Sequence, residues 1–447
     1  MPRPQHSFSI RHAALASLAL VALLASSCAR QLPTAAVTTP TRAASPNQHG
    51  NGDSVENEVV VTLAAGTDPA AIATEYGATL LEYDAVNMLA VFLPGGTQTA
   101  AELVTLMATD ARLTTSESNG WIVPAEARQK SFAFDDGFGS LANAVEQPAA
   151  TAIGLPAAHK VSTGGGVKVA VLDTGIDPSH VMFRGRIVGS ADFIDPANTA
   201  AIDMADGVDN NNNDAIDEAY GHGTHVAGIV MLTAPDAMLL VGRVLNADGQ
   251  GDVLAVAAGI RWAVRSGAQV INLSLGTLTH SDAIQNALEY AENHNVVVVA
   301  SAGNWGAENP QEFPARSSHA IAIAASDASR HPAAFTSFGS FVALSAPGVA
   351  VRSAYPGNSY RLWSGTSMST PFVAGTAALL LSLHPAWTSG QVLERIAQTS
   401  SHLYGLTPAQ VDKLGDGMLN AGAALAADYD PGVTPTDDPE EIVRTVR

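Results

Sequence analysis

Cysteine is almost missing from this chain: among 447 residues only Cys28 carries a thiol. No intrachain disulfide can form, and a cysteine-based zinc site is excluded. Basic residues are scarce as well, 22 Lys and Arg against 42 Asp and Glu, leaving a formal net charge of −20. Such a surface repels polyphosphates and argues against nucleic acid as a partner. Charged residues make up only 14% of the chain, whereas hydrophobic ones reach 47%. That composition describes a globular chain with a sizeable core rather than a disordered one. No internal repeat is visible.

The N-terminus pairs a basic start (Arg3, Arg11, His6, His12) with an apolar run, Ala13 to Leu24, too short to cross a bilayer comfortably. Residues 1–27 therefore read as an export signal. Ala25-Ser26-Ser27-Cys28 resembles the end of a bacterial lipoprotein signal, with Cys28 as the lipidated first residue and attachment to a membrane through it. An ordinary secretory signal with Cys28 incidental is the alternative. Either way the protein is expected outside the cytoplasm, secreted or in the cell envelope.

Residues 28–54 read as a flexible tether. In 55–124, strand Glu58 to Leu63, helix Asp68 to Tyr76, strand Ala90 to Leu93, helix Ala100 to Ala108 and Trp121-Ile122-Val123 suggest a small split β-α-β unit of the ferredoxin-like kind. It carries no catalytic pattern. Residues 125–147 are polar and glycine-containing, and read as a linker. From 148 to 427, short buried-type strands (Val167 to Leu172, Leu239 to Val244, Val270 to Leu273, Val296 to Ala300, Ile321 to Ala324) alternate with helices (Val226 to Met231, Val253 to Val264, Ala283 to Glu292). This predicts an α/β fold, a parallel sheet with helices on both faces and the site at the carboxyl ends of the strands. Residues 428–447 form an acidic, proline-containing tail expected to be disordered.

Four residues in the larger region could carry chemistry. Ser367 precedes an apolar helix, Phe372 to Leu383, where unpaired N–H groups and the helix dipole favour a negative oxygen; Pro371 is assigned to the first helical turn. Asp173 stands at the exit of a buried strand, where a charge needs a partner. His222 and His225 lie three residues apart without the glutamate of a zinc-protease motif; glycine-flanked His222 suits a general base and His225 a packed position. Asn304 follows a strand and could aim an amide at a developing oxyanion.

The order Asp173, His222, Ser367 matches that of the subtilisin triad. Asp173-Thr174-Gly175, His222-Gly223-Thr224-His225-Val226-Ala227-Gly228, Asn272 to Gly276, Ala302-Gly303-Asn304, Ala346-Pro347-Gly348 and Gly365-Thr366-Ser367-Met368, in that order, resemble the subtilisin-like serine peptidases (subtilases) along 148–427. The resemblance implies a serine endopeptidase. Ser367 would attack the carbonyl, His222 relay the proton, Asp173 orient His222, and Asn304 with the Ser367 backbone N–H hold the oxyanion. It also implies that Ser274, Leu275 and Gly276 pair with an extended protein or peptide substrate, with Ser301, Ala302 and Gly303 forming another wall. These walls are uncharged, which suggests a broad or apolar preference. Residues 55–124 become a propeptide that inhibits its own enzyme until the chain cuts itself within 124–147. A monomer is expected, with no cofactor for catalysis. Phe372 replaces a histidine common in the family and is read as packing; His180 is read as structural.

One loop points to calcium. Asp209, Asn211, Asn213 and Asp217 alternate like the oxygen ligands of a calcium loop, although Asp214 replaces the turn glycine and Tyr220 the last acidic ligand. A solvated acidic loop is the plain alternative. Two other readings of the whole chain compete with an active peptidase: a dead scaffold on the same fold, and an acid-active serine-carboxyl peptidase. The intact set Asp173, His222, Asn304 and Ser367 disfavours the first, His222 and Asn304 disfavour the second, and a histidine base predicts a neutral-to-alkaline optimum.

Overall fold

Alternation along the first strand sets the N-terminal unit. In the computed structural model, which describes residues 54–126, 131–195, 197–198 and 200–426, β1 (Ser54–Leu63) turns Val59 and Val61 to one side and Val60 to the other. The signal, Cys28, the tether and the acidic tail lie outside the described residues. β1 pairs antiparallel with β3 (Leu89–Leu93) and β4 (Leu113–Ile122), and β2 (Thr79–Asp84) adds to β3. Helices α1 (Pro69–Glu75) and α2 (Ala100–Met107) pack on Val59, Val61, Ala90 and Phe92. Asp68 caps α1 and a Thr99–Glu102 capping box starts α2. Strand β2 was not expected: its side chains are half-buried or exposed, and Thr79-Leu80-Leu81-Glu82 does not alternate.

The second unit is built on seven parallel strands: β5 (Lys168–Asp173), β6 (Ile187–Asp192), β7 (Met238–Arg243), β9 (Val270–Leu273), β10 (Val297–Ser301), β11 (Ile321–Ser326) and β12 (Val342–Pro347). Their order is β12-β11-β10-β9-β5-β7-β6. The progression reverses at β5, so the crevice beyond β5 and β9 is where such a sheet binds ligands. Helices α3 (His222–Thr233) and α6 (Thr366–Leu383) cover one face; α4 (Val253–Arg265) and α5 (Asp282–Asn293) cover the other. Polar, glycine-containing Ile187–Asp192 gave no strand signal.

The two units share a boundary. Val60, Leu89, Val91 and Ile122, from the face of the small sheet away from α1 and α2, pack into one apolar cluster with Leu254, Ile260, Ile284 and Leu288. Glu117 accepts hydrogen bonds from the Asp282 and Ala283 N–H groups, and Asn119 accepts one from the Val253 N–H. The small unit thus satisfies orphan donors at the N-termini of α5 and α4. A two-residue strand β8 (Gly251–Asp252) pairs with Trp121 and Ile122, extending the small sheet.

Residues 131–147 are less free than a linker. Phe134 bridges to Leu362, Gln147 bonds the Arg352 backbone in both directions, and Leu141–Val145 is a short helix capped by Ser140. Between β12 and α6 lies a hairpin, β13 (Val351–Tyr355) and β14 (Ser359–Trp363).

Candidate active site

Each site residue is delivered by the end of a regular element. Asp173 closes β5 and His222 opens α3. Their approach requires glycine at 223, where a Cβ would lie 2.1 Å from the Gly175 carbonyl oxygen and 3.1 Å from Asp173 Cβ. The His222 Nδ1–H meets Asp173 Oδ1 at 2.7 Å, and the Thr174 N–H donates to that same oxygen. Trp363 packs edge-on against the His222 ring, with centroids 5.2 Å apart.

Ser367 lies in the first turn of α6, and the helix begins earlier than the apolar run suggested. Pro371 is therefore inside the helix rather than in its first turn. Its missing N–H frees the carbonyl four residues back, which is that of Ser367 itself. That carbonyl accepts a hydrogen bond from Ser274 Oγ at 2.9 Å, tying the turn to the segment that follows β9. Asn304 follows β10. Its Oδ1 accepts from the Thr366 N–H and Oγ1, both at 2.9 Å, which fixes the amide with its nitrogen facing Ser367.

A carboxylate fills the space these groups enclose. Beyond β4 the chain runs antiparallel to the segment after β9: the Val123 and Gly276 N–H groups donate to each other's carbonyls at 3.0 and 2.9 Å. It then bends, and Glu126 points inward. Glu126 Oε1 accepts from Asn304 Nδ2 at 2.9 Å and from the Ser367 N–H at 3.3 Å. Glu126 Oε2 accepts from the Ser367 hydroxyl and lies 3.4 Å from His222 Nε2. Asp173, His222 and Ser367 are all completely buried and Glu126 is 1% exposed, so the ensemble is closed to solvent. Nothing in the local sequence marks Glu126; only the pairing of 121–123 across the molecule brings it here.

The electrostatics follow from burial between charges. Burial disfavours a charged His222 ring, but the Asp173 and Glu126 carboxylates more than offset it and hold its pKa up to about 10. Burial likewise acts to raise Glu126, and the bonds from His222, Ser367 and Asn304 pull it below the ordinary carboxylate value. His225 is neutral: burial drives its pKa down to about 3, and its Nε2–H faces the Val351 and Arg361 carbonyls. His180 is buried, its Nε2 on the Ser359 carbonyl and its Nδ1 accepting from the Met182 N–H.

The two expected walls, Ser274 to Gly276 and Ser301 to Gly303, do converge beside Ser367, but the space between them is not uncharged. Glu312, 1% exposed, sets its carboxylate against both Gly276 and Gly303. The expectation of a purely uncharged cleft fails because Glu312 arrives from a separate segment, whose Phe313 pairs with Thr277.

The acidic loop departs from its expected arrangement. Asp217 turns its carboxylate to the backbone N–H groups of Asp206 and Gly207. Glu218 instead points toward Asn211 and Asn213, whose amides donate to its Oε1. Asp209 accepts from the Asn213 and Asp214 N–H groups. Among the described residues no group of three or more His, Cys, Asp or Glu is arranged to hold a metal ion.

Residues 164–423 match the model of the subtilase family, peptidase family S8. The chain is 38% identical to subtilisin BL of Lederbergia lenta over 279 residues, 60% of this chain and 94% of that protein. It is 40% identical to a thermostable alkaline protease of Halalkalibacterium halodurans over 270 residues, 58% of this chain and 68% of that one. Among solved structures, fervidolysin from Fervidobacterium pennivorans superimposes with a TM-score of 0.69 at 22% identity, covering 86% of this chain and 63% of that one. At that identity the likeness concerns the fold alone. A protease from Pseudoalteromonas arctica gives a TM-score of 0.56 at 30% identity, over 61% of this chain and 93% of that one.

Proposed function

The chain belongs to the subtilase family and is a serine endopeptidase acting on protein or peptide substrates; we propose that Ser367, His222 and Asp173 perform the reaction and that the structure is its latent precursor. The observation that carries this is the convergence of His222 Nε2 and the Ser367 hydroxyl on one Glu126 oxygen, with the other oxygen between Asn304 and the Ser367 N–H. A carboxylate sits where a substrate's carbonyl would be attacked. With Glu126 gone, His222 takes the Ser367 proton as Oγ attacks. The oxyanion then forms against Asn304 Nδ2 and the Ser367 N–H, and His222 passes the proton to the leaving amine. Asp173 keeps the ring oriented and stabilises the imidazolium.

Residues 55–126 act as an inhibitor in cis. They add a strand to the substrate edge at Gly276 and plug the oxyanion position with Glu126. Activation requires a cut within 124–147 and departure of the small unit. If Cys28 is lipidated, that cut leaves the anchor on the small unit and frees the peptidase; export follows from the signal-like start. Reaction of purified protein with a serine-directed fluorophosphonate, followed by peptide mapping, tests the assignment: the label belongs on Ser367 and disappears in Ser367→Ala. Label at another residue refutes it.

The same loop that departs from its expected form still suits calcium, as a structural ion. Glu218 has one buried oxygen, Oε2, without a hydrogen-bond partner. Burial, with the Glu218 charge beside it, pushes Asp248 up to about 7 against its backbone hydrogen bonds. Asn211, Asn213, Glu218 and Asp248 would supply the oxygens, with Asp209 and Asp217 holding the loop through its backbone N–H groups. The ion would neutralise two crowded carboxylates and tie the loop to the segment before β8.

A further inference from the structure

We propose that Glu312 makes this endopeptidase select lysine or arginine on the acyl side of the bond it cuts; this rests on the endopeptidase reading above. Adjacent strands β9 and β10 end together, and the cleft is the space between their continuations, 274–276 and 301–303, across which the Glu312 carboxylate lies. The cleft starts at the nucleophile, because Ser274 Oγ holds the Ser367 carbonyl at 2.9 Å and the Gly303 N–H reaches Thr366 Oγ1 at 3.2 Å. Both walls carry glycine where they face Glu312. A Cβ at 276 would lie 2.2 Å from Glu312 Oε1, and a Cβ at 303 would lie 2.9 Å from Oε2, so the carboxylate spans the two walls. Its backbone is held on both sides: Phe313 exchanges hydrogen bonds of 2.7 and 2.8 Å with Thr277, and the Arg316 N–H donates to the Glu312 carbonyl at 3.0 Å.

The register of Val123 on Gly276 shows how a substrate strand would lie on this edge. A substrate residue two positions further on stands level with Ser274, next to Ser367, with the cleft beside it. A long cationic side chain entering there meets a carboxylate already removed from water. A charge-assisted hydrogen bond to that carboxylate is stronger than a neutral one and is least screened where water is excluded. The indole N–H of Trp305 donates to Glu312 Oε2 at 2.8 Å, a bond that an arriving guanidinium or ammonium would share or replace. An apolar side chain brings no charge to the carboxylate. The net charge of −20 adds attraction for cationic peptides at a distance.

The test uses the full-length chain, expressed and matured, with active molecules counted by fluorophosphonate labelling. Peptides identical except for Arg, Lys, Leu, Phe or Gln on the acyl side are compared by kcat/KM. Arg and Lys are expected to exceed Leu and Phe by about 10-fold or more, and Glu312→Gln to lower the Arg-to-Leu ratio by about 10-fold. Glu312→Asp, which keeps the charge, retains the preference in weaker form and decides the matter if the Gln variant does not label. Leu or Phe equalling Arg in the wild type, or an unchanged ratio in Glu312→Gln, overturns the proposal. Protein that neither labels nor cuts any peptide overturns the endopeptidase reading instead, and this inference with it.

Discussion

His222 stands between two carboxylates of different origin. Asp173 arrives on the central strand of the parallel sheet and meets Nδ1 at 2.7 Å; Glu126 arrives from the small N-terminal unit and lies 3.4 Å from Nε2. One is built into the parallel sheet itself. The other depends on a sheet that docks through an apolar face, helix caps at α4 and α5, and edge pairings with β8 and Gly276. On the proposed reading, one carboxylate orients the base from one side and another blocks it from the other. The difference is whether the carboxylate occupies the position of the substrate.

Substitutions separate the two roles. Ser367→Ala is expected to lower kcat by about 10⁶-fold, a magnitude known from subtilisin itself, and to leave the chain uncut on a gel. Asn304→Ala removes one oxyanion donor and is expected to cost about 10²–10³-fold in kcat, again a subtilisin magnitude, with little change in KM. Glu126→Ala has the opposite sign. Freed from its plug, the uncut chain should label with fluorophosphonate about 10–100-fold faster than the wild type. An equal rate would mean that Glu126 does not obstruct the nucleophile.

The pH dependence of the plugged state sharpens the contrast. His222 is raised from 6.5 to about 10 while the plug is in place, so its contribution is complete below 6.5 and fades as pH rises toward 10. Glu126 is lowered from 4.5, so its contribution is complete above 4.5 and fades as pH falls through the lowered value. Labelling of uncut protein should be slowest between about 4.5 and 6.5 and accelerate steadily toward pH 10. A rate independent of pH across that range would contradict the charge-held plug. The smallest effect concerns the acidic loop: removing calcium with a chelator is expected to lower Tm by about 5–10 °C, restored by added calcium.

Much of this was legible in the residues because the peptidase concentrates its chemistry at strand and helix ends marked by glycine. Asp173-Thr174-Gly175, Gly221-His222-Gly223 and Gly365-Thr366-Ser367 each combine a reactive side chain with a backbone that must pass close to another. Five strands of the central sheet, β5, β7, β9, β10 and β11, were legible because burial on both faces makes them continuously apolar. Edge strands β2 and β6 were not, since half-exposed edges carry mixed polarity, and edge strand β12 was not, since Ser345 and Pro347 interrupt its apolar run. Glu126 and Glu312 escaped for another reason. Each is an ordinary glutamate in an irregular segment, and its place depends on antiparallel pairings, Val123 with Gly276 and Thr277 with Phe313, that leave no local pattern. Pro371 was assigned to the wrong turn because the helix extends back to Thr366 through polar residues.

The most direct test is fluorophosphonate labelling of a purified mixture of uncut and cut chains, with each form weighed by mass spectrometry. The cut form should carry one label, on Ser367, while the uncut form, with Glu126 on the hydroxyl, stays largely unlabelled over the same time. Equal labelling of both forms, or a label elsewhere than Ser367, would contradict the account.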